Sequence, residues 1–168
     1  MDHSAPIAVV RGATTAQIQA LFAEFVARLG PQVRVAGVIE EEPAPGHAQL
    51  RSLADGRRFE VFQALGRGSS ACSVDADSIV TACAAVCGDI EAGCDLVVLS
   101  KFGRLEAERT GLSDAFAAGL AGEVPILTSV APKFDPVWTA FAAPLFVMLP
   151  PQLAAMEAWW RGLRRQAA

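Results

Sequence analysis

Apolar positions along this chain fall into two textures. Four short runs, Ile7–Val10, Val33–Ile39, Leu96–Leu99 and Ile126–Val130, are apolar at nearly every position, and a fifth, Leu145–Leu149, follows Pro144. Runs without polar alternation are expected of strands covered on both faces, as in parallel sheets. Between them the spacing turns helical. Thr14 to Leu29 carries Ile18, Leu21, Phe22, Phe25 and Leu29 on one stripe and stops at Gly30-Pro31, and Thr14 with Gln17 has the form of a capping box. Asp75 to Ala92 carries Ile79, Val80, Cys83, Val86, Cys87 and Ile90, with Gly93 as its stop. Leu112–Leu120 reads as a shorter helix, and a last helix spans about 151–166.

A different pattern lies between the second strand and the Asp75 helix. Gln49–Leu53 and Arg58–Gln63 flank Asp55-Gly56, which predicts an antiparallel hairpin inserted at about 47–64. Glu40 to Gly46 reads as a solvated connection, and Leu65–Ser70 as a loop rich in Gly and Ser. There are no repeats and no linker. The expectation is one α/β domain over residues 1–168, a three-layer sandwich around a mostly parallel sheet.

Composition narrows the function classes. Hydrophobic residues are 52% of the 168 and charged residues 19%, which excludes a disordered chain. A net charge of −4 gives no electrostatic footprint for nucleic acid or an anionic membrane, so neither is expected as a partner. The apolar stretch from Val137 to Trp160 is interrupted by Pro144, Pro150, Pro151 and Glu157, which favours a core strand and a helix over a membrane span. No basic region precedes an apolar stretch at the N-terminus, and four cysteines without a secretion signal suggest reduced thiols, so the expected compartment is the cytoplasm. Only Lys101 and Lys133 are lysine, so any chemistry that needs one must use these.

Two segments carry candidate chemistry. The first strand runs into Arg11-Gly12-Ala13-Thr14-Thr15 and then a helix, the geometry in which free N–H groups and the helix dipole face an anion. The nucleotide-hydrolysing version of this turn requires G-x-x-x-x-G-K-[ST]; here Gly12 is the only glycine and no lysine follows. An ordinary βα turn with a threonine cap fits equally. The second segment is the abrupt change from Leu96–Leu99 to Ser100-Lys101-Phe102-Gly103-Arg104-Leu105-Glu106. In open α/β sheets ligands bind outside the carboxyl ends of strands. Lys101, Arg104 and nearby Arg109 would gather positive charge there, and Glu106 could orient a water or pair with an arginine; a solvated loop is the plainer alternative.

No metal site is read. Cys83 and Cys87 lie on the apolar stripe of their helix, no C-x-x-C occurs, and His3 and His47 lie elsewhere. Cys72 follows Gly68-Ser69-Ser70 in a loop that could leave its thiol reactive. Asp75 is either the cap of its helix or, in an enzyme, a catalytic acid. The last helix carries Leu153, Met156, Trp160 and Leu163 on one face, to be docked on the core or offered to a second copy or a protein partner.

The segment Val98–Glu106, with Gly111–Phe116 and Val124–Val130 after it, resembles the nucleoside triphosphatases of the thermophilic type, with Ser100 and Lys101 at their two acidic positions. More of the chain is similar to a bacterial domain family of unknown function related to those enzymes and often described beside molybdate-transport genes. That likeness rests on Asp55-Gly56-Arg57-Arg58, the Leu65–Asp75 segment with Cys72, and Lys101–Glu106. The resemblance implies a P-loop-like fold, and a phosphate loop that has lost its lysine implies weakened hydrolysis. The leading expectation is therefore a module that holds nucleotide phosphate or an oxyanion such as molybdate. Its ligand residues would be Arg11, Gly12, Ala13, Thr14, Thr15, Lys101, Gly103 and Arg104, with magnesium only if a nucleotide is bound. A phosphohydrolase using Glu106 and Asp75 is the second reading, and an adaptor working through the last helix or Cys72 the third.

Overall fold

The computed structural model describes residues 5–64 and 72–168. The uninterrupted apolar runs become neighbouring strands because only a sheet covered on both sides removes all their side chains from water. In chain order the elements are β1 (Ile7–Val10), α1 (Thr15–Arg28), β2 (Val35–Glu41), β3 (Gln49–Ser52), β4 (Arg58–Glu60), β5 (Phe62–Ala64), β6 (Cys72–Val74) and α2 (Ala76–Ala92). They continue with β7 (Leu96–Leu99), α3 (Arg104–Ala107), α4 (Ser113–Ala121), β8 (Ile126–Ser129), a 3-10 turn (Pro132–Phe134), α5 (Asp135–Ala142), β9 (Phe146–Leu149) and α6 (Leu153–Ala167).

The main sheet has seven strands in the order β4-β3-β2-β7-β8-β1-β9. Its five strands from β2 to β9 are parallel, and the β3–β4 hairpin adds two antiparallel strands at one edge. Alternate strand residues face opposite layers. Ala8, Val10, Leu96, Val98 and Leu127 pack with Ile18, Phe22 and Phe25 of α1 and Met156, Trp159 and Trp160 of α6. On the other face Ile7, Val9, Val97, Leu99 and Ile126 pack with Ile79, Cys83 and Val86 of α2, Phe116 of α4 and Trp138 of α5. Trp138 centres an aromatic group with Phe102, Phe116, Phe141 and Phe146, at centroid distances from 5.1 to 5.9 Å. The expected three-layer α/β sandwich with a mostly parallel sheet is the observed architecture.

Several local expectations change. β2 starts at Val35 and runs through Glu41, because Glu40 and Glu41 pair with Leu50 and Gln49 of β3 instead of entering a solvated connection. Cys72 opens strand β6, paired with Ala64, and is not a loop residue; the Leu65–Ser70 loop and His3 lie outside the described residues. The turn and helix over Pro132–Ala142 were not legible, since two prolines sit where strand and loop signals compete; Pro136 falls in the first turn of α5, where its missing N–H costs nothing. Helix α6 lays its apolar face, Trp159 included, on its own sheet, and the Trp159 indole donates to the Ala5 carbonyl at 2.9 Å. Cys83 is buried and its thiol is pushed up to about 11 by that burial; burial raises Cys87 and Cys94 as well.

One backbone approach leaves no room for a side chain. Gly37 has φ +120°, and a Cβ there would lie 1.8 Å from the Val98 carbonyl oxygen on the paired strand. The strands that bound the site, β2 and β7, therefore lie in register only with glycine at 37. Gly37→Ala should cost about 3 kcal/mol in chemical denaturation, the upper end of overpacking penalties.

At the hairpin edge Glu41 accepts from Arg51 Nε at 2.5 Å, with Gln49 at 3.5 Å and Arg58 at 3.6 Å. Burial raises the Glu41 carboxyl, but the hydrogen bond and charge of Arg51, helped by Gln49 and Arg58, outweigh it and hold the group below its ordinary 4.5. A depressed folded value means this stabilisation is present above 4.5 and disappears as pH falls through the folded value. Glu41→Gln should lower stability by under about 1 kcal/mol near neutral pH and leave it unchanged in strong acid, as read from denaturation midpoints.

Candidate functional site

Strands β1, β7 and β8 end together, and the chain leaves them toward opposite layers: α1 on one side, α3 and the 3-10 turn on the other. A cavity of about 940 Å³ opens at these carboxyl ends. Its walls are the Arg11–Thr15 turn, Ser100–Glu106 after β7, Ser129–Phe134 after β8 and Glu40 at the end of β2. Its lining carries the charged side chains of Lys101, Arg104 and Lys133 and the apolar ones of Leu50, Val61, Ile79 and Leu112.

The opening is made by a buried amide. Gln19 of α1 is 4% exposed. Its Nε2 donates to the Ser100 carbonyl at 2.8 Å and its Oε1 accepts from the Glu40 amide at 2.9 Å. The paired register of β2 and β7 ends at Val38–Leu99, and the carboxamide bridges the strands where they part. Beyond this point Phe102 N donates to the Ser129 carbonyl at 2.8 Å, which ties the segment after β7 to β8.

The first turn is ordered by its own side chains. Gly12 has φ +105°. Thr14 caps α1: its hydroxyl accepts from the Gln17 amide at 3.2 Å, and its own amide donates to Gln17 Oε1 at 3.0 Å. The amides of Thr15 and Ala16 lie in the first turn of α1, where no preceding carbonyl can take them. Arg11 forms a two-pronged pair with Asp135 and donates Nε to the Val130 carbonyl at 3.1 Å. It clamps β1 to the segment after β8.

The acidic groups are engaged. Glu106 Oε2 accepts from the Gly103 amide at 2.9 Å and Oε1 from the Leu112 amide at 3.0 Å, so this carboxylate fixes the turn around α3. Lys101 Nζ lies 3.0 Å from Glu40 Oε2. Asp75 caps α2, accepting from the Ser78 amide at 3.0 Å and the Ser78 hydroxyl at 3.1 Å, and does not line the cavity. Arg104 and Lys133 form no ion pair among the described residues; the Lys133 ammonium stands 5.1 Å from the Phe134 ring centre.

Residues 7–159 match the model of a family described as "Protein of unknown function (DUF2478)". The chain belongs to this family. The DUF2478 chain is also 33% identical over 145 residues to the "Molybdenum import ATP-binding protein ModC 2" of Bradyrhizobium diazoefficiens, covering 83% of this chain and 16% of that protein's length. Among solved structures it is similar to THEP1 from the hyperthermophile Aquifex aeolicus, with TM-score 0.63, 12% identity, and 87% and 88% of the two chains covered. That likeness fixes the fold as P-loop-NTPase-like.

The fold thus gathers Arg11, Gly12, Ala13, Thr14, Thr15, Lys101, Gly103, Arg104 and Glu106 around one cavity, and leaves Asp75 and Arg109 off its wall. Sequence reasoning missed Glu40, Gln19 and Lys133. Lys133 had a usable signal, since it is one of only two lysines and follows a strand end. Among the described residues no group of three His, Cys, Asp or Glu side chains is placed to hold a metal ion, and no helix is long and apolar enough to cross a membrane. Replacing Gln19 by leucine should cost about 2–3 kcal/mol, because it leaves the Glu40 amide and the Ser100 carbonyl buried without partners; chemical denaturation of Gln19→Leu against the unchanged protein checks this.

Proposed function

We propose that this chain is an anion-binding module of degenerate P-loop type, which holds the phosphates of a nucleotide, or an oxyanion such as molybdate, without efficient hydrolysis. The observation that carries the reading is the convergence of Lys101, Arg104, Lys133 and the first turn of α1 on one cavity at the strand ends. Its volume of about 940 Å³ lies within the range of small-molecule and cofactor sites and exceeds what a bare oxyanion fills. A nucleotide would set its phosphates against the cations and its base against the apolar lining. A link to molybdenum handling is supported by the likeness to the molybdenum import ATP-binding protein of Bradyrhizobium diazoefficiens.

Weak hydrolysis is supported by the state of the acids. Magnesium is held by one or two carboxylates together with phosphate oxygens. Here Ser100 and Lys101 stand at the end of β7, Glu40 faces an ammonium, and both oxygens of Glu106 accept backbone amides. This donor set does not fit a magnesium ion, so charge on a bound anion would be balanced by the three cations. The phosphohydrolase reading needs Glu106 or Asp75 as a free base, and each already holds a helix or turn in place.

Thermal unfolding with ATP, GTP, phosphate, sulfate, molybdate and tungstate, with and without magnesium, tests this. A ligand at a hundred times its dissociation constant adds about 2.7 kcal/mol of apparent stability. Lys101→Ala should weaken binding at least about tenfold while changing unliganded stability by under about 1 kcal/mol, since its ammonium is half-exposed. Unchanged affinity in that variant removes Lys101 from the site. Phosphate release from a nucleotide that Glu106→Gln abolishes would favour the enzyme.

A further inference from the structure

Glu40 is an acid on the wall of a cavity built to hold an anion. It lies near the end of a central strand, and its position is set by the sheet. Its amide is held by Gln19 and its backbone is in register with Leu50. Its side chain is 16% exposed, with Oε2 at 3.0 Å from Lys101 Nζ. A shortening of the side chain by one methylene, as in aspartate, would take the carboxylate away from the lysine.

The two ion pairs of the cavity differ in kind. Arg11 meets Asp135 with two nitrogens and also bonds the Val130 carbonyl, so three contacts fix it. Lys101 has one polar contact among the described residues, and its side chain is 49% exposed. An ammonium on a flexible stem can exchange one oxygen partner for another at little cost in strain. Glu40 cannot leave, because its backbone is pinned on both sides. It is a tethered competitor, present at a fixed effective concentration beside the cation that the ligand needs.

From this we infer that Glu40 is a specificity-determining residue: by neutralising Lys101 it excludes small anions and admits only ligands with several negative groups. The inference rests on the anion-binding reading above. A small oxyanion that takes Lys101 from Glu40 exchanges one ammonium–oxygen contact for another and stays beside the displaced carboxylate, so its electrostatic gain is small. A polyphosphate is long enough to engage Arg104, Lys133 and the Thr15 amide, which line the same cavity, and these contacts outweigh the lost pair. The ligand class selected is a nucleoside di- or triphosphate over free phosphate, sulfate or molybdate.

The test is calorimetric titration of the whole chain and of Glu40→Gln with ATP and with inorganic phosphate, sulfate and molybdate. Glutamine keeps the size and removes the charge. The expected result is about tenfold tighter binding of the small anions to Glu40→Gln, with a smaller change for ATP, so that the ratio of affinities narrows. In a Lys101→Met background the same Glu40→Gln change should narrow the ratio far less, because no lysine remains to be released. An unchanged ratio in Glu40→Gln, with both ligands still bound, overturns the role of Glu40 and leaves the anion site standing. Weaker binding of small anions in Glu40→Gln also overturns it. Absence of binding by every ligand to both proteins overturns the anion site and the inference together. Matching thermal unfolding of the two unliganded proteins shows that the comparison is made on folded material.

Discussion

The carboxamide of Gln19 stands where β2 and β7 part, and much of the site depends on that wedge. Parallel strands left to pair to their ends would close the sheet and leave only a flat rim. Gln19 supplies a donor to Ser100 and an acceptor to Glu40, so both backbone groups stay satisfied while the strands diverge. The same contact locks α1 onto the sheet. It thereby sets where the first turn, with its unpaired amides, lies relative to the segment after β7. A helix, two strands and the cavity between them are positioned by one side chain that is itself out of water.

Around that wedge, charge is distributed unevenly. Acids near the cavity are each committed: Asp135 to Arg11, Glu106 to two amides, Glu40 to Lys101. Cations are not all committed, since Arg104 and Lys133 have no acidic partner among the described residues. A chain with net charge −4 thus presents a locally positive pocket. The global sign of a protein says little about the sign of its site, because a concave surface with low-dielectric walls concentrates the field of the few charges that face it.

The fold was readable because its signals are redundant. Every central strand is an apolar run, α1 and α2 each have a stripe and a side-chain cap, and Thr14 with Gln17 forms the capping box that the spacing implies. The end of β7 at Leu99 was readable for the same reason, but the loop expected over Ser100–Glu106 gives way at Arg104 to the short helix α3. What escaped was long-range. Gln19 looks like a solvent residue of α1, and only the tertiary fold, across 81 positions to Ser100, makes it a bridge. Glu40 looked like the start of a solvated acidic connection, because three glutamates before a proline carry no mark of strand pairing. Glu106 and Asp75 were legible as acids near the right places, but nothing local says that their oxygens already hold backbone amides.

The aromatic residues give the molecule an optical asymmetry. The sequence contains no tyrosine, so its near-ultraviolet signal comes from three tryptophans and nine phenylalanines. Trp159 and Trp160 lie in the α1–α6 layer, whereas Trp138 lies fully buried in the opposite layer. Trp138 is 5.1 Å from Phe102, which follows Lys101 directly and lines the cavity. A rearrangement of the Lys101–Gly103 segment would therefore alter the chiral surroundings of one indole and leave the other two as an internal reference. The protein carries its own reporter of events in the cleft, with no dye or label added.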